Sequence, residues 1–222
     1  MRFLNSTAWL AILALSSLVS SLPSSPVING IVDMNNFPIE SIPEFKEADP
    51  LDKRLTSSTC HGLNVNLTQI ATQAYKLCNS AIHSIESNEP TETQRFIHFF
   101  GPLNDNPNAP ALIRHRYQLI QETIFSLTLN LVCLPTQSKD NRPGVIADVV
   151  SAGQGTEATV RLFKGWFGLP ANDTCVPGLS KASVLVHESS HVFGADDRGP
   201  DLSNDAYQYG DFSASAFGNC TI

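Results

Sequence analysis

The 222-residue sequence is short of basic residues, of methionine and of long apolar runs. It has 14 Lys and Arg against 21 Asp and Glu, which gives a formal net charge of −7. Because a nucleic-acid surface needs positive charge, this balance argues against a nucleic-acid partner. The one prominent apolar stretch, Trp9–Val19, is too short and interrupted for a good membrane span. No membrane association is therefore expected.

That stretch follows Arg2 and precedes small residues, which is the pattern of a secretory signal peptide. Val19 and Ser21 suit the −3 and −1 positions of a cleavage site, so residues 1–21 are predicted to be removed on secretion. Three acceptor triplets for N-glycans agree with an extracellular location. They begin at Asn66, Asn172 and Asn219.

The next segment differs in composition from the rest of the chain. Residues 23–50 are rich in proline, serine and acidic side chains, and the dibasic pair Lys53-Arg54 follows them. A dibasic pair at such a boundary is typical of a maturation site in the secretory pathway. We interpret residues 22–54 as a pro-segment that closes the site of a zymogen, and residues 55–222 as one functional domain.

The sequence also lacks a Cys-x-x-Cys motif, which makes its cysteines poor candidates for a metal site. All five cysteines follow the dibasic pair, and disulfides are expected in an oxidising compartment. Four paired cysteines allow three connectivities. We prefer Cys60–Cys133 and Cys175–Cys220, with Cys78 free and buried in a helix.

Apolar periodicity predicts an α+β fold, predominantly helical with a small sheet. The segments with helical spacing of apolar residues are 66–87, 92–100 and 109–133. A strand is predicted over 144–151, and a second strand or extended segment over 158–167. A last helix is expected over 204–217.

The chain contains one His-Glu-x-x-His motif, formed by His187, Glu188 and His191. Residues four apart lie on one face of a helix, so both imidazoles can bind the same Zn²⁺. Glu188 lies beside them, where it can take a proton from a metal-bound water. The flanking residues are apolar or uncharged, as in a buried helix; a surface helix with a stray His pair would not need such flanks.

Zinc needs a third protein ligand if its fourth position is to hold water. Neither His nor Glu follows His191, so the remaining donors are aspartates. Gly194 is a natural helix terminator, and a turn there can bring Asp197 back under the two imidazoles. We predict Asp197 as the third ligand, with Asp196 and then Asp205 as alternatives.

Several segments of the region from Cys60 to the C-terminus carry a family resemblance. Besides the motif itself, they are Arg95-Phe-Ile-His-Phe-Phe-Gly101, Leu162-Phe-Lys-Gly-Trp-Phe-Gly-Leu-Pro170 and Asn204-Asp-Ala-Tyr-Gln-Tyr209. This set resembles the deuterolysin and peptidyl-Lys metalloendopeptidases, the secreted fungal zinc endopeptidases called aspzincins. The resemblance implies a zincin fold, one zinc held by two His and one Asp, and a Glu general base, here Glu188.

The sequence departs from the family's pattern after the second motif His. The family has Gly-Thr-x-Asp-x-x-Tyr-Gly, whereas this chain has Gly194-Ala-Asp-Asp197 followed by Arg-Gly-Pro. Asp197 keeps the family's Asp position, but the Tyr that would donate a hydrogen bond to the transition state is missing. Tyr207 and Tyr209 are candidates to replace it. The fragment also resembles the snapalysin variant of the metzincin motif, but no methionine follows the site, as a Met-turn requires.

These observations predict a secreted zinc metalloendopeptidase that cleaves proteins or peptides as a monomer. The altered Asp motif keeps a second hypothesis open, a catalytically weak or inactive secreted zinc-binding protein or effector on the same scaffold. The intact Glu188 favours the peptidase, because a protein that only binds zinc needs no general base. The sequence does not indicate a cleavage preference.

Overall fold

The structure is a computed structural model of the chain. It describes residues 27–28, 31–32, 58–60, 62–126, 129–137, 139, 144–151, 158–171, 179–198 and 201–220. The chain divides into two compact units, Met1–Glu44 and Phe45–Ile222. The predicted signal peptide lies outside the described residues, and so does the predicted pro-segment apart from two short strands. The domain boundary after residue 54 stays a prediction.

In the first unit, the two short strands form an antiparallel pair, β1 (Val27–Ile28) with β2 (Ile31–Val32). The second unit is helix-rich with a three-stranded sheet, which confirms the predicted α+β class. Its helices are α1 (Leu67–Glu86), α2 (Pro90–Phe100), α3 (Ala109–Ser126), α4 (Lys164–Phe167), α5 (Lys181–Val192) and α6 (Ala206–Phe217). Its strands are β3 (Leu129–Leu134), β4 (Ala147–Ser151) and β5 (Ala158–Phe163).

Local chemistry sets the ends of the first two helices close to their predicted bounds. The Asn66 side chain accepts a hydrogen bond from the backbone N–H of Gln69 at 2.9 Å, which caps α1. Pro90 occupies the first turn of α2, where its missing N–H costs no helical bond. The apolar faces of both helices then pack into the common core.

The predicted single helix over 109–133 is wrong. The helix ends at Ser126, and the chain continues as strand β3. Leu129, Leu131 and Cys133 are buried while the residues between them are more exposed, which is a period of two. Pairing with β5 along the whole strand supplies the backbone hydrogen bonds, and that partner is remote in sequence.

β5 is the central strand of the sheet, parallel to β3 and antiparallel to β4. The strand predicted over 158–167 ends at Phe163, after which α4 begins. Asp148 of β4 lies opposite Arg161 of β5, and its buried carboxylate accepts a hydrogen bond from Arg161 Nε at 2.7 Å. Lys139 Nζ lies 2.6 Å from the same carboxylate.

The disulfide Cys60–Cys133 joins the start of the second unit to β3, as predicted. Cys78 is free and buried in α1, also as predicted. Cys220 is disulfide-bonded, whereas its predicted partner Cys175 lies outside the described residues. Among the helices in the described ranges, none is both long and apolar enough to cross a membrane.

The core of the second unit surrounds α5, which contacts α1, α3, α6 and the sheet. Gly210 allows the close approach of α6, because a Cβ at this position would lie 3.1 Å from the Ser183 carbonyl oxygen and 3.5 Å from His187 Cβ. The sequence therefore places a glycine where α6 crosses the helix that carries the His-Glu-x-x-His motif.

Candidate metal centre

α5 is a buried helix whose two ends are well defined. Ser180 and Ser183 form a reciprocal capping box at its start. Residues 181–190 are all buried, as the apolar flanks of the motif predict. The helix ends before Gly194, which adopts φ +82° and reverses the chain. Both motif histidines are therefore carried by a helix that the core fixes in place.

The turn after α5 is fastened by backbone hydrogen bonds on two sides. Ala195 N–H donates to the Ser190 carbonyl at 3.2 Å, which keeps the turn against α5. Asp196 pairs its backbone with the start of α6, donating to the Asn204 carbonyl at 2.8 Å and accepting from Ala206 N–H at 3.0 Å. The next residue, Asp197, consequently lies beneath the imidazoles.

Three donor atoms converge at this point. His187 Nε2 lies 3.1 Å from Asp197 Oδ1, and His191 Nε2 lies 3.4 Å from the same oxygen. The two Nε2 atoms are 3.3 Å apart. Zinc–nitrogen and zinc–oxygen bonds of about 2.0–2.1 Å in a tetrahedral shell place neighbouring ligand atoms about 3.3 Å apart. The spacing and the chemistry of this donor set therefore fit a zinc ion.

The surrounding backbone orients both imidazoles. His191 Nδ1 lies 2.7 Å from the Ala195 carbonyl oxygen, so Nδ1 donates and Nε2 keeps its lone pair. The His187 ring also hydrogen-bonds the backbone of Ala206. Burial, reinforced by the charge of His191, lowers the pKa of His187 to about 4, although Asp197 and Asp205 oppose this shift. A neutral His187 at physiological pH is the form that binds a metal.

Glu188 lies beside this cluster without belonging to it. Its Oε1 is 4.0 Å from His187 Nε2, and its side chain is buried. Burial, with the nearby carboxylates of Asp197 and Asp148, raises the pKa of Glu188 to about 8, against the opposing charge of Lys139. A dication at the adjacent donors would lower this pKa again and favour the carboxylate.

Asp148 and Lys139 were missed by the sequence reasoning as neighbours of Glu188. Asp148 lies on β4, an edge strand that packs against α5, and Lys139 Nζ lies 2.6 Å from the Asp148 carboxylate, so both charges act on Glu188. The sequence spacing between these residues and the motif could not indicate this proximity, because it depends on how the sheet packs against α5.

The two alternative third ligands occupy other positions. Asp196 contributes its backbone to the bridge described above, and its side chain is exposed. Asp205 caps α6, with its Oδ1 accepting from Tyr207 N–H at 2.9 Å. Among the residues that the structure describes, the group able to hold a metal is formed by His187, His191 and Asp197. Ligation itself stays a prediction.

The two candidate tyrosines also separate clearly. The Tyr207 ring lies edge-on to the His187 ring, with centroids 4.6 Å apart and planes at 63°. Burial, followed by the charge of Asp197, raises the pKa of the Tyr207 phenol. Tyr209 is fully buried and its hydroxyl bonds to Arg116 and to the Ser203 carbonyl. Tyr207 therefore belongs to the site and Tyr209 to the core.

Comparison with known proteins adds a fold relationship. No family model matches the sequence, and no curated protein matches it significantly. Among solved structures, the chain is similar to a zinc peptidase from Grifola frondosa, with a TM-score of 0.52 and 20% identity over 66% of this chain and 91% of that chain. At this identity the likeness shows the fold alone. The chain therefore shares its overall fold with this solved structure, in agreement with the fold expected from the sequence resemblance.

Proposed function

We propose that this chain is a zinc-dependent metalloendopeptidase that hydrolyses peptide bonds in proteins or peptides. The observation that carries the proposal is the equal spacing of three donor atoms, 3.1–3.4 Å apart, with the carboxylate of Glu188 next to them. A zinc-binding protein without chemistry needs the donors but not a buried glutamate at this distance. The fold likeness to a zinc peptidase supports the same conclusion.

His187, His191 and Asp197 would hold the metal, with the backbone of Ala195 and Ala206 fixing the two rings. When bound there, zinc would lower the pKa of a coordinated water towards about 7 and polarise the scissile carbonyl. Because the His187 side chain is buried on α5 and that of His191 is only 18% exposed, the two imidazoles need little rearrangement to bind.

Glu188 acts as the general base in this proposal. Its carboxylate accepts a proton from the attacking water and returns it to the nitrogen of the leaving amine. Burial keeps bulk water from competing for that proton, and a dication at the adjacent donors would favour the carboxylate form that accepts it. The proton that Glu188 takes from the water is therefore the one that it gives to the leaving amine.

The setting proposed for this activity is extracellular. The signal-like residues 1–21 and the disulfide Cys60–Cys133 support secretion. Removal of residues 22–54 at the dibasic pair would release an active monomer, and the three Asn-x-Ser/Thr triplets would carry glycans. The acidic net charge supports the absence of nucleic-acid partners.

The test is hydrolysis of casein by the secreted, processed protein and by Glu188→Gln. The variant keeps the size of the side chain and removes the base, so the rate should fall by about 10²- to 10⁴-fold while bound zinc is retained. Glu122→Gln, on the exposed face of α3, is the matched control and should cleave at the wild-type rate. A chelator should abolish wild-type cleavage.

Two observations favour a second function, a secreted zinc-binding protein or effector with weak or no turnover. The side chain of Asp197 is 58% exposed, and the family's Tyr-Gly is absent after it. Bound zinc with no hydrolysis of casein or other proteins would support this second function. Hydrolysis by Glu188→Gln at the wild-type rate would overturn the assigned base.

A further inference from the structure

The structure describes five arginines, and four of them are bound by the protein itself. Their guanidinium groups contact carboxylates, carbonyl oxygens or an aromatic ring; these residues are Arg95, Arg114, Arg116 and Arg161. The fifth, Arg198, is exposed. Among the residues that the structure describes, none forms an ion pair or a hydrogen bond with its side chain. This guanidinium is therefore available to a ligand.

Arg198 lies beside the candidate metal centre. It directly follows Asp197, whose Oδ1 is 3.1 Å from His187 Nε2. Its backbone adopts φ +56°, a conformation that is uncommon for residues other than glycine and that directs the side chain at this turn. Burial and the charge of Asp197 raise the pKa of the Tyr207 phenol, and the charge of Arg198 opposes this rise. The guanidinium therefore lies near the ring that packs on His187.

Other charged side chains around the centre already have partners in the protein. Lys139 and Arg161 both contact the carboxylate of Asp148. The carboxylate of Asp205 caps α6. Arg198 is thus the cation that the described part of the site leaves free for a substrate.

We propose that the Arg198 guanidinium binds an acidic side chain of the substrate, so that peptide bonds next to Asp or Glu are preferred. The inference rests on the proposed peptidase function and names its substrate class. A guanidinium presents paired N–H donors that match the two oxygens of a carboxylate, and it repels a lysine or arginine side chain. The contact involves a part of the substrate that does not react, so it should lower KM more than it raises kcat.

The test uses casein-derived peptides that are blocked at both ends and carry Glu, Gln or Lys beside the cleaved bond. For the secreted, processed wild type, we expect kcat/KM to be about 5- to 10-fold higher with Glu than with Gln, and lowest with Lys. High salt should weaken this preference. A Gln peptide with a free C-terminal carboxylate is included, because a chain end offers the same chemistry as an acidic side chain.

Arg198→Gln should abolish the preference for the Glu peptide, and Arg198→Glu should reverse it in favour of the Lys peptide. Reversal by charge is a result that damage to the turn would not produce. Arg114→Gln is the matched control, because it changes an arginine of α3 that pairs with Glu86. It should keep both the rate and the preference of wild type.

Peptide binding is measured separately from hydrolysis. Glu188→Gln leaves the peptides uncleaved on the time scale of a calorimetric titration, so their affinities can be compared directly. The Glu peptide should bind about 5- to 10-fold more tightly than the Gln peptide. The difference should disappear when Arg198→Gln is added to Glu188→Gln.

The outcomes distinguish this inference from the function on which it rests. If wild type cleaves the Glu and Gln peptides equally well, or if Arg198→Gln keeps the wild-type preference, the inference is overturned alone. A preference for the free C-terminal carboxylate without one for Glu would also overturn it, because the guanidinium would then bind the chain end. A wild type that cleaves no peptide and no casein would overturn both proposals.

Discussion

The two sides of the candidate metal centre are built differently. On one side, His187 and His191 stand on α5, with side chains only 10% and 18% exposed. On the other, Asp197 lies on a turn with its side chain 58% exposed, and the next residue, Arg198, has φ +56°. The helix is fixed by the core and by a capping box, whereas the turn depends on a few backbone hydrogen bonds. The turn is therefore the side on which metal binding is most easily lost.

The largest effect should come from removing the third donor. Asp197→Asn replaces a carboxylate by a neutral amide, and we expect zinc affinity to fall by at least about 100-fold, beyond the 10- to 100-fold typical of losing an outer hydrogen-bond partner. The measurement is competition with a chelating dye of known zinc affinity. The protein should stay folded, because Asp197 is exposed.

Asp196→Asn is the matched control, since it changes the neighbouring exposed aspartate and leaves the backbone bridge to α6 in place. Its zinc affinity should equal that of wild type. If Asp196→Asn lost zinc and Asp197→Asn retained it, the third ligand would be misassigned and the turn would adopt another path in the metal-bound protein.

A smaller effect should follow from a change in the turn backbone. Gly194 adopts φ +82° and nothing lies within 4 Å of an added Cβ, so Gly194→Ala introduces backbone strain of about 1–2 kcal/mol without a clash. Because the conformation of Gly194 sets the direction of the segment that carries Asp197, we expect both the zinc affinity and the free energy of unfolding to fall. Chemical denaturation of the metal-free protein and zinc competition measure the two quantities.

Gly62→Ala provides the comparison, because Gly62 has φ +81° and equally open surroundings at the start of the second unit. It should lower the free energy of unfolding by a similar amount and leave zinc affinity unchanged. Equal losses of zinc affinity in both variants would mean that the turn at Gly194 has no special part in placing the third donor.

The same contrast explains how much the sequence could predict. The spacing within the motif fixes the relation of His187 to His191, because both lie on one helix and the pattern is local. The N-terminal helices were predictable for a similar reason, from apolar residues at helical spacing. Over 129–134 the sequence fits both helical spacing and strand alternation, and the pairing of β3 with β5 makes this segment a strand.

The rest of the site depends on tertiary contacts. The sequence could rank Asp197, Asp196 and Asp205 as candidate ligands. It could not show the backbone bridge between Asp196 and Asp205, which positions the turn that carries Asp197. It left Tyr207 and Tyr209 undecided because their separation depends on how α6 packs on α5. No periodicity in a single segment encodes a contact between two helices.

The most direct test of the central claim is zinc content together with zinc K-edge X-ray absorption of the secreted, processed protein. The account predicts one zinc per chain, surrounded by nitrogen and oxygen at about 2.0–2.1 Å with two imidazoles, and an altered shell in Asp197→Asn. No bound zinc, or sulfur at about 2.3 Å, would contradict a centre formed by His187, His191 and Asp197.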